Sequence, residues 1–384
     1  MRLSRITSGG RLIPEIDGLR FAAITSVVAF HVYEYLHARV NFSAPGILNT
    51  ALLNGQRGVP LFFVISGFIL GRPFASHYIH NTPAPKLKEY FLRRFTRLEP
   101  PYLVALFAVF FGLAAFTSSR GVSHLLASVL YSHNLIYGSP NPFYGLAWSL
   151  EIEIQFYCLL PLLAFVYCLP RIPRRSLLAV IMLAGAFHLF PMPTRLSLSF
   201  FSWIQYFAAG TLLADLYIDG WNHKPHWRFD LASLVLWPTV FLISDGLAWV
   251  ALPAIAVVLY ASAFRSIFFQ RVFTLPAIVI IGGMCYTIYL VHYPVVCVAG
   301  RLSPNPIMIT ALSLAGISAA SLIFFVLIER PCMDKNWPSQ LFNRNQRRVL
   351  HGVGSVGRVS SSGEADICAG LDVGNERKEV HGRE

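Results

Sequence analysis

The sequence predicts an all-α, polytopic membrane protein with about ten transmembrane helices and both termini in the cytoplasm. Only 13% of its 384 residues are charged, whereas soluble domains carry roughly 25%. Apolar residues make up 55% of the chain, and the mean hydropathy is +0.55. This composition excludes a soluble globular enzyme, a disordered protein and a fibrous one.

Apolar runs of about 15 to 24 residues recur along the chain, and runs of this length cross a bilayer of about 30 Å. They lie at 18–37, 58–76, 101–117, 146–169, 176–192, 200–218, 231–245, 247–264, 276–299 and 306–328. The stretch 122–137 is shorter and carries polar residues, which favours an interfacial or re-entrant segment. Because ten spans is an even number, both termini are expected on one side of the membrane.

The basic residues indicate which side that is. With the N-terminus inside, 26 of the 31 Lys and Arg residues fall in inner segments and 5 in outer loops. Cytoplasmic loops carry such an excess. The same bias accounts for the net charge of +12. No nucleic-acid partner is expected, because no basic run is interleaved with aromatic residues that would stack on bases.

Three segments are predicted along the chain. Residues 1–15 form a cytoplasmic N-terminal segment, 16–332 a transmembrane domain, and 333–384 a cytoplasmic tail that is disordered because it lacks an apolar period. No cleavable signal peptide is expected. The six cysteines form no CxxC pair, so neither a disulfide framework nor a metal site is predicted.

Charged residues inside a membrane are functional candidates, because burying them is costly. Arg20 and His31 lie 11 residues apart on the first predicted span. On an α-helix this spacing puts them on one face to within roughly 20°, about 16 Å apart along the axis. Asp17 precedes Arg20 by three residues and can pair with it. The alternative is that Arg20 snorkels to the headgroups while His31 hydrogen-bonds another helix.

Two arginines precede the third predicted span. Arg94 and Arg97 share a helical face. Two forked guanidinium groups suit a phosphate or pyrophosphate ligand. Taken alone, the pair is more typical of an ordinary cytoplasmic basic cluster.

The fourth predicted span carries a polar stripe of Ser149, Glu153 and Tyr157 at i, i+4 spacing. Glu151 lies about 200° from Glu153 around a helix, so the two carboxylates cannot serve one site. The alternative is that the stripe only makes hydrogen bonds between helices.

The ninth predicted span carries the tyrosine-rich stretch from Tyr286 to His292. Both residues are candidates for contact with a substrate, although a single histidine in a span is more often a packing residue.

Together these segments resemble the bacterial acyltransferase-3 family, which consists of integral-membrane enzymes that acylate extracytoplasmic carbohydrates. The resemblance covers about residues 12–332. It rests on six ordered motifs: Ile16 to Arg20 with His31; Gly58 to Phe68; Arg94 and Arg97 followed by Pro100 and Tyr102; Trp148-Ser149-Leu150 with Glu153, Phe156 and Tyr157; Tyr286 to His292; and Glu329-Arg330-Pro331. Pro60 and Glu99 depart from the usual pattern, outside the paired motif residues.

The resemblance implies a multi-pass protein of the bacterial inner (cytoplasmic) membrane that acts as an acyltransferase for groups other than aminoacyl groups. Its donor would be cytoplasmic acyl-CoA, usually acetyl-CoA, with no bound cofactor. Its acceptor would be a hydroxyl of a glycan or glycolipid. The family's Arg-x10-His pair corresponds to Arg20 and His31, its Arg-x-x-Arg motif to Arg94 and Arg97, and its Glu after Trp-Ser-Leu to Glu153.

Acyl transfer to a hydroxyl needs a base, a polarised thioester and bound CoA. Imidazole titrates near neutrality, so His31 is assigned as base or acyl relay. Glu153, the second predicted catalytic residue, would orient or charge-balance that imidazole. Arg94 and Arg97 would hold the CoA phosphates, with Arg20 at the phosphopantetheine entrance or on the thioester side. The remaining predicted substrate-site residues are Asp17, Ser149, Tyr286 and His292.

The rival prediction is a secondary transporter or channel, in which the same buried charges line a substrate or proton path. The sequence shows neither inverted hydropathy repeats nor paired spans broken by Gly or Pro, and both would favour a transporter. A catalytically inactive scaffold is disfavoured because the motif residues are intact.

Overall fold

A computed structural model describes residues 12–114, 121–187, 193, 196–220, 224–334 and 337. Every regular element among these residues is helical. The α-helices are α1 (Pro14–Val40), α2 (Gly46–Leu53), α3 (Gly58–His80), α4 (Leu87–Ala114), α5 (Val122–Val129), α6 (His133–Tyr137), α7 (Ala147–Leu163), α8 (Arg171–Ala186), α9 (Ile204–Ile218), α10 (Trp227–Leu242), α11 (Asp245–Arg265), α12 (Phe268–Phe273), α13 (Pro276–Gly283), α14 (Cys285–Leu302), α15 (Pro306–Phe324) and α16 (Arg330–Cys332). The all-α prediction is confirmed for the described residues.

Five helical segments in this part of the chain are long and apolar enough to cross a membrane. They are Pro14–Val40, Gly46–His80, Ala147–Cys168, Asp245–Arg265 and Pro306–Cys332. A sixth arises if α13 and α14, which meet at a bend of 69°, together form one span. The described residues therefore support a multi-pass membrane protein with five or six clear spans.

The other four predicted spans coincide with α4, α8, α9 and α10. Helices α8, α9 and α10 have 16, 15 and 16 residues, which at 1.5 Å per residue is short of a bilayer core of about 30 Å. The first half of α4 is charged. A total of ten spans and the cytoplasmic position of both termini stay predictions.

Several predicted features lie wholly or partly outside the described residues. The N-terminal segment 1–15 is described only from residue 12, and the tail 333–384 only at 333, 334 and 337. The predicted span 176–192 is described to residue 187. In contrast, the predicted interfacial stretch 122–137 is described throughout and consists of the short helices α5 and α6.

Helices α3 and α9 cross in close contact at the centre of the bundle. Gly67 and Gly210 face each other there: a Cβ atom on Gly210 would lie 2.2 Å from the carbonyl oxygen of Val64 and 2.8 Å from the Cα of Gly67. Small residues allow the backbones of membrane helices to approach in this way. The crossing fixes α3, whose residues line both cavities described below.

Replacing Gly210 by alanine is expected to destabilise the fold by about 1–3 kcal/mol, because the added methyl group meets backbone rather than a movable side chain. Thermal unfolding of the purified protein in detergent measures this. Gly112→Ala is the matched control, because a Cβ at Gly112 on α4 meets no atom within 4 Å. Equal melting temperatures for the two variants would contradict the assigned role of the crossing.

The break between α13 and α14 places the start of α14 beside α1. A Cβ atom on Gly282 would lie 1.8 Å from the carbonyl oxygen of Asp17, so only glycine permits this approach. The chain then turns by 69°, and α14 begins at Cys285. This bend brings the side chains of α14 to the same cavities as those of α1.

Candidate active site

A cavity of about 320 Å³ lies among α1, α3, α4, α7 and α14. Its charged and polar lining residues are Arg20, Ser66, Arg93, Arg94, Arg97, Ser149, Glu153, Tyr157, Tyr286 and Tyr289. We call it the basic cavity, because four arginines and one glutamate contribute its formal charges. It brings together predicted motif residues of five different helices.

The arginines of the basic cavity are held in different ways. Arg20 donates to Asp17 at 2.8 Å, which confirms the pairing predicted from their spacing. Arg94 lies 4.0 Å from the ring centre of Tyr90 and donates to the Tyr90 carbonyl oxygen at 3.1 Å. The Nε atoms of Arg94 and Arg97 are buried and have no hydrogen-bond partner among the described residues. A buried donor of this kind needs an acceptor, so the arrangement fits an anionic ligand such as a phosphate.

Glu153 lies in the basic cavity and Glu151 on the opposite side of α7, as their helical spacing predicts. The carboxylate of Glu153 accepts hydrogen bonds from the hydroxyl groups of Ser66 and Tyr157. Glu151 is fully buried and accepts from the backbone N–H of Asn134 at 2.8 Å. The two carboxylates therefore lie in different surroundings, and only that of Glu153 lines the cavity.

A second cavity of about 370 Å³ contains His31. Its aromatic and polar lining residues are Phe30, His31, Gln56, Arg57, Trp148, Trp203, Tyr206, Asp245, Trp249 and Tyr289. We call it the aromatic cavity. Its lining comes from α1, α3, α7, α9, α11, α14 and the single turns that precede α3 and α9.

His31 is paired with His292 rather than with a carboxylate. Nδ1 of His292 lies 3.1 and 2.8 Å from the carbonyl oxygens of Ile288 and Tyr289, so it carries a proton and donates. Its Nε2 then accepts from Nδ1 of His31 at 3.1 Å, and that same Nδ1 also lies 3.0 Å from the Val27 carbonyl oxygen. This assignment of tautomers leaves Nε2 of His31 unprotonated, which is the state that a base or nucleophile requires.

Tyr289 and Val59 line both cavities and thus form the wall between them. The Tyr289 hydroxyl donates to the Leu146 carbonyl oxygen at 3.0 Å. It therefore accepts from Ser149, whose Oγ lies 2.6 Å away. These two contacts tie Tyr289 to the start of α7 and hold the wall in place.

The structure places the predicted site residues in two groups. Arg20, Arg94, Arg97, Ser149, Glu153 and Tyr286 line the basic cavity, and His31 lines the aromatic cavity. Asp17 and His292 are buried and line neither cavity. Asp17 is hydrogen-bonded to the cavity residue Arg20, and His292 to the cavity residue His31. Their predicted contact with a substrate stays a prediction.

The described hydrogen bonds do not include a contact by which Glu153 would orient His31, and charge balance between the two stays a prediction. Glu153 bonds to Ser66 and Tyr157 in the basic cavity, and His292 supplies the contact to Nδ1 of His31. The physical reason is that α14 packs against α1 and brings His292 to it. Whether Glu153 is catalytic in another way stays a prediction.

Sequence reasoning missed several residues of the aromatic cavity. Arg57 is one of the five basic residues that the sequence places in outer loops, yet it is buried and donates to Asp245 at 2.6 Å. Trp203 and Trp249 lie in the predicted spans 200–218 and 247–264, which carry no site motif, so the sequence holds no signal that brings them to the site.

A family model described as an acyltransferase domain matches residues 13–330, which is most of the chain. The chain belongs to the acyltransferase-3 family. The multi-pass helical fold and the intact motif residues agree with this membership.

The family member is similar to two proteins whose names state an O-acetyltransferase activity. Peptidoglycan O-acetyltransferase OatA of Listeria monocytogenes is 33% identical in an alignment of 174 residues that covers 41% of this chain and 25% of that protein. O-acetyltransferase OatA of Staphylococcus aureus is 25% identical in an alignment of 376 residues that covers 86% of this chain and 59% of that protein. The chain thus spans less than two thirds of either relative. No solved structure matches it.

Proposed function

We propose that this acyltransferase-3 family member is an integral-membrane O-acyltransferase of the bacterial inner membrane. It moves an acyl group, acetyl by default, from cytoplasmic acyl-CoA to a hydroxyl of an extracytoplasmic or lipid-linked carbohydrate. The names of its relatives support O-acetyl transfer, and that of the Listeria relative adds peptidoglycan as one example of a glycan acceptor.

The donor binds in the basic cavity in this proposal. Arg94 and Arg97 offer buried guanidinium Nε atoms that have no partner among the described residues. The phosphates of CoA are strong acceptors for such donors. Arg20, held by Asp17, lies in the same cavity and receives the pantetheine arm that carries the thioester. Entry of the donor from the cytoplasm agrees with the predicted excess of basic residues on the cytoplasmic side.

The acceptor hydroxyl approaches from the aromatic cavity. Nε2 of His31 takes the hydroxyl proton as the oxygen attacks the thioester carbonyl carbon. The C–S bond then breaks, the CoA sulfur receives a proton, and the products are an ester and free CoA. His292 keeps Nδ1 of His31 as the protonated nitrogen, so that Nε2 is available to the hydroxyl.

One observation carries this proposal: His31, with an unprotonated Nε2, lies in a cavity that shares the wall residues Val59 and Tyr289 with the arginine-rich cavity. A transferase has to bring two substrates from different compartments to one base. Two cavities that meet at a thin wall provide this arrangement.

Membrane vesicles that contain the protein test the function with isotopically labelled acetyl-CoA and glycan acceptors. We expect CoA release that depends on the acceptor, and labelled acetyl ester on the glycan by mass spectrometry. The rival, a transporter or channel, predicts solute or proton flux across the vesicle membrane without acetyl ester. Flux without ester would overturn the proposal.

A further inference from the structure

We infer that the aromatic cavity is a subsite for one uncharged pyranose ring of the acceptor, stacked on the tryptophans and hydrogen-bonded at its rim. The inference rests on the proposed function, because it specifies the carbohydrate that the transferase takes. The cavity volume of about 370 Å³ lies in the range of small-molecule sites.

The first observation is a cluster of indole rings that line the aromatic cavity and not the basic cavity. The ring centres of Trp148 and Trp203 lie 5.2 Å apart, and those of Trp203 and Trp249 are also 5.2 Å apart. Tyr206 lies 6.0 Å from Trp203. Aromatic faces are electron-rich, and the C–H groups on one face of a pyranose carry a partial positive charge. A cluster of tilted indoles beside the base therefore suits a sugar ring better than an alkyl chain.

Polar groups of the same lining suit hydroxyl groups. The indole Nε1 of Trp203 is buried and has no hydrogen-bond partner among the described residues. The side chain of Gln56 is exposed at the cavity, and the carboxylate of Asp245 is 80% exposed. Sugar hydroxyls both donate and accept, so they match this mixture of N–H donors and a carboxylate acceptor.

The two formal charges that line the aromatic cavity, those of Arg57 and Asp245, form an ion pair. Arg57 donates to the carbonyl oxygens of Val240 and Ile243, at 2.7 and 3.0 Å, and to Asp245 at 2.6 Å. These contacts occupy its guanidinium group at the junction of α10 and α11. No other Lys, Arg, Asp or Glu belongs to the described lining. A uronic acid ring would find no uncommitted cation there and would lie beside a carboxylate, so an uncharged ring is favoured.

The test compares four tryptophan variants in the purified, reconstituted full chain. Trp203→Ala and Trp249→Ala are expected to raise the acceptor KM about 10- to 30-fold. Their acetyl-CoA affinity should stay unchanged, because neither residue lines the basic cavity. Trp227→Ala is the matched control, since Trp227 is 55% exposed at the start of α10 and lies outside both cavities. Trp203→Phe keeps a ring and should lie between wild type and Trp203→Ala.

The same preparation tests the charge preference with oligosaccharides of glucose, of N-acetylglucosamine and of galacturonic acid. At least one of the two uncharged series should be acetylated, with a lower KM than the uronate series. Preferred acetylation of the uronate series would overturn the inference, as would equal acceptor KM values for Trp203→Ala, Trp249→Ala and Trp227→Ala. The proposed function itself fails in a different way: the wild-type protein would then acetylate no glycan at all.

Discussion

Replacing His31 by alanine is expected to lower acyl transfer about 10²- to 10⁴-fold, which is the range that general-base catalysis contributes. The reason is that the tautomer assignment leaves Nε2 of His31 unprotonated, and that His31 lines the cavity assigned to the acceptor. The measurement is acetyl ester formed per minute in membranes, normalised to the amount of folded protein. The KM for acetyl-CoA should change little, because His31 does not line the basic cavity.

His37→Ala is the matched control for this substitution. His37 lies on the same helix but is exposed, and its ring contacts only the Phe42 carbonyl oxygen and Ser43 in the described hydrogen bonds. It should retain wild-type transfer. Added imidazole should partly restore the His31→Ala variant, whereas it should do nothing for a misfolded protein. Full transfer by His31→Ala would remove His31 from the mechanism.

The His292→Asn variant tests whether His292 orients His31 or only stabilises the fold. It removes the acceptor for Nδ1 of His31 but leaves the contact of that nitrogen to Val27. We expect a loss of kcat smaller than that of His31→Ala, with an unchanged KM for acetyl-CoA. A purely structural His292 would lower the amount of folded protein and leave kcat per folded molecule intact.

The same assay distinguishes a base from a covalent relay. With labelled acetyl-CoA and no acceptor, a base gives no rapid release of CoA. A relay gives a burst that equals the amount of enzyme, because the acyl group stays on the protein. We expect no burst, since the mechanism derived above has the hydroxyl oxygen attack the thioester directly.

The second large effect is expected at the arginine pair. The double variant Arg94→Ala/Arg97→Ala should weaken acetyl-CoA binding about 10²- to 10⁴-fold, because a hydrogen bond to a charged group contributes about 1.5–3 kcal/mol. Equilibrium binding of acetyl-CoA to the reconstituted protein measures this. Unchanged affinity would show that the donor phosphates bind elsewhere.

Two controls make this result specific. Lys88→Ala removes an exposed positive charge from the same helix without touching the cavity lining, so it should bind acetyl-CoA like wild type. Acetyl-pantetheine lacks the nucleotide phosphates, so it should bind the double variant and the wild type about equally. A loss that also appears with acetyl-pantetheine would indicate collapse of the cavity rather than loss of phosphate contacts.

Local helical geometry made several site features predictable. The i, i+3 spacing of Asp17 and Arg20 predicts their contact, which the structure confirms at 2.8 Å. The angular separation of Glu151 and Glu153 predicts that only one of them reaches a site, and only Glu153 lines a cavity. Such predictions succeed because a helix fixes the relative directions of side chains within a few residues.

The hydropathy pattern predicted the positions of helices better than it predicted which helices cross the membrane. Every predicted span coincides with helix in its described part, but α8, α9 and α10 are too short to count as crossings by length alone. The hydropathy of a segment contains no information about the helices that pack against it. A short helix within a bundle is stabilised by the helices packed around it, as α9 is by α3 at the Gly67 and Gly210 crossing.

The membrane class, the all-α fold and the shared helical face of Arg20 and His31 all follow from composition or from the periodicity of one helix. Only the packing of the helices shows that His31 is paired with His292, which lies 261 residues away, and not with Glu153. It alone also decided that the site is divided by Val59 and Tyr289. The physical reason is that these contacts depend on how separate helices pack, and on the bend between α13 and α14, which no local pattern encodes.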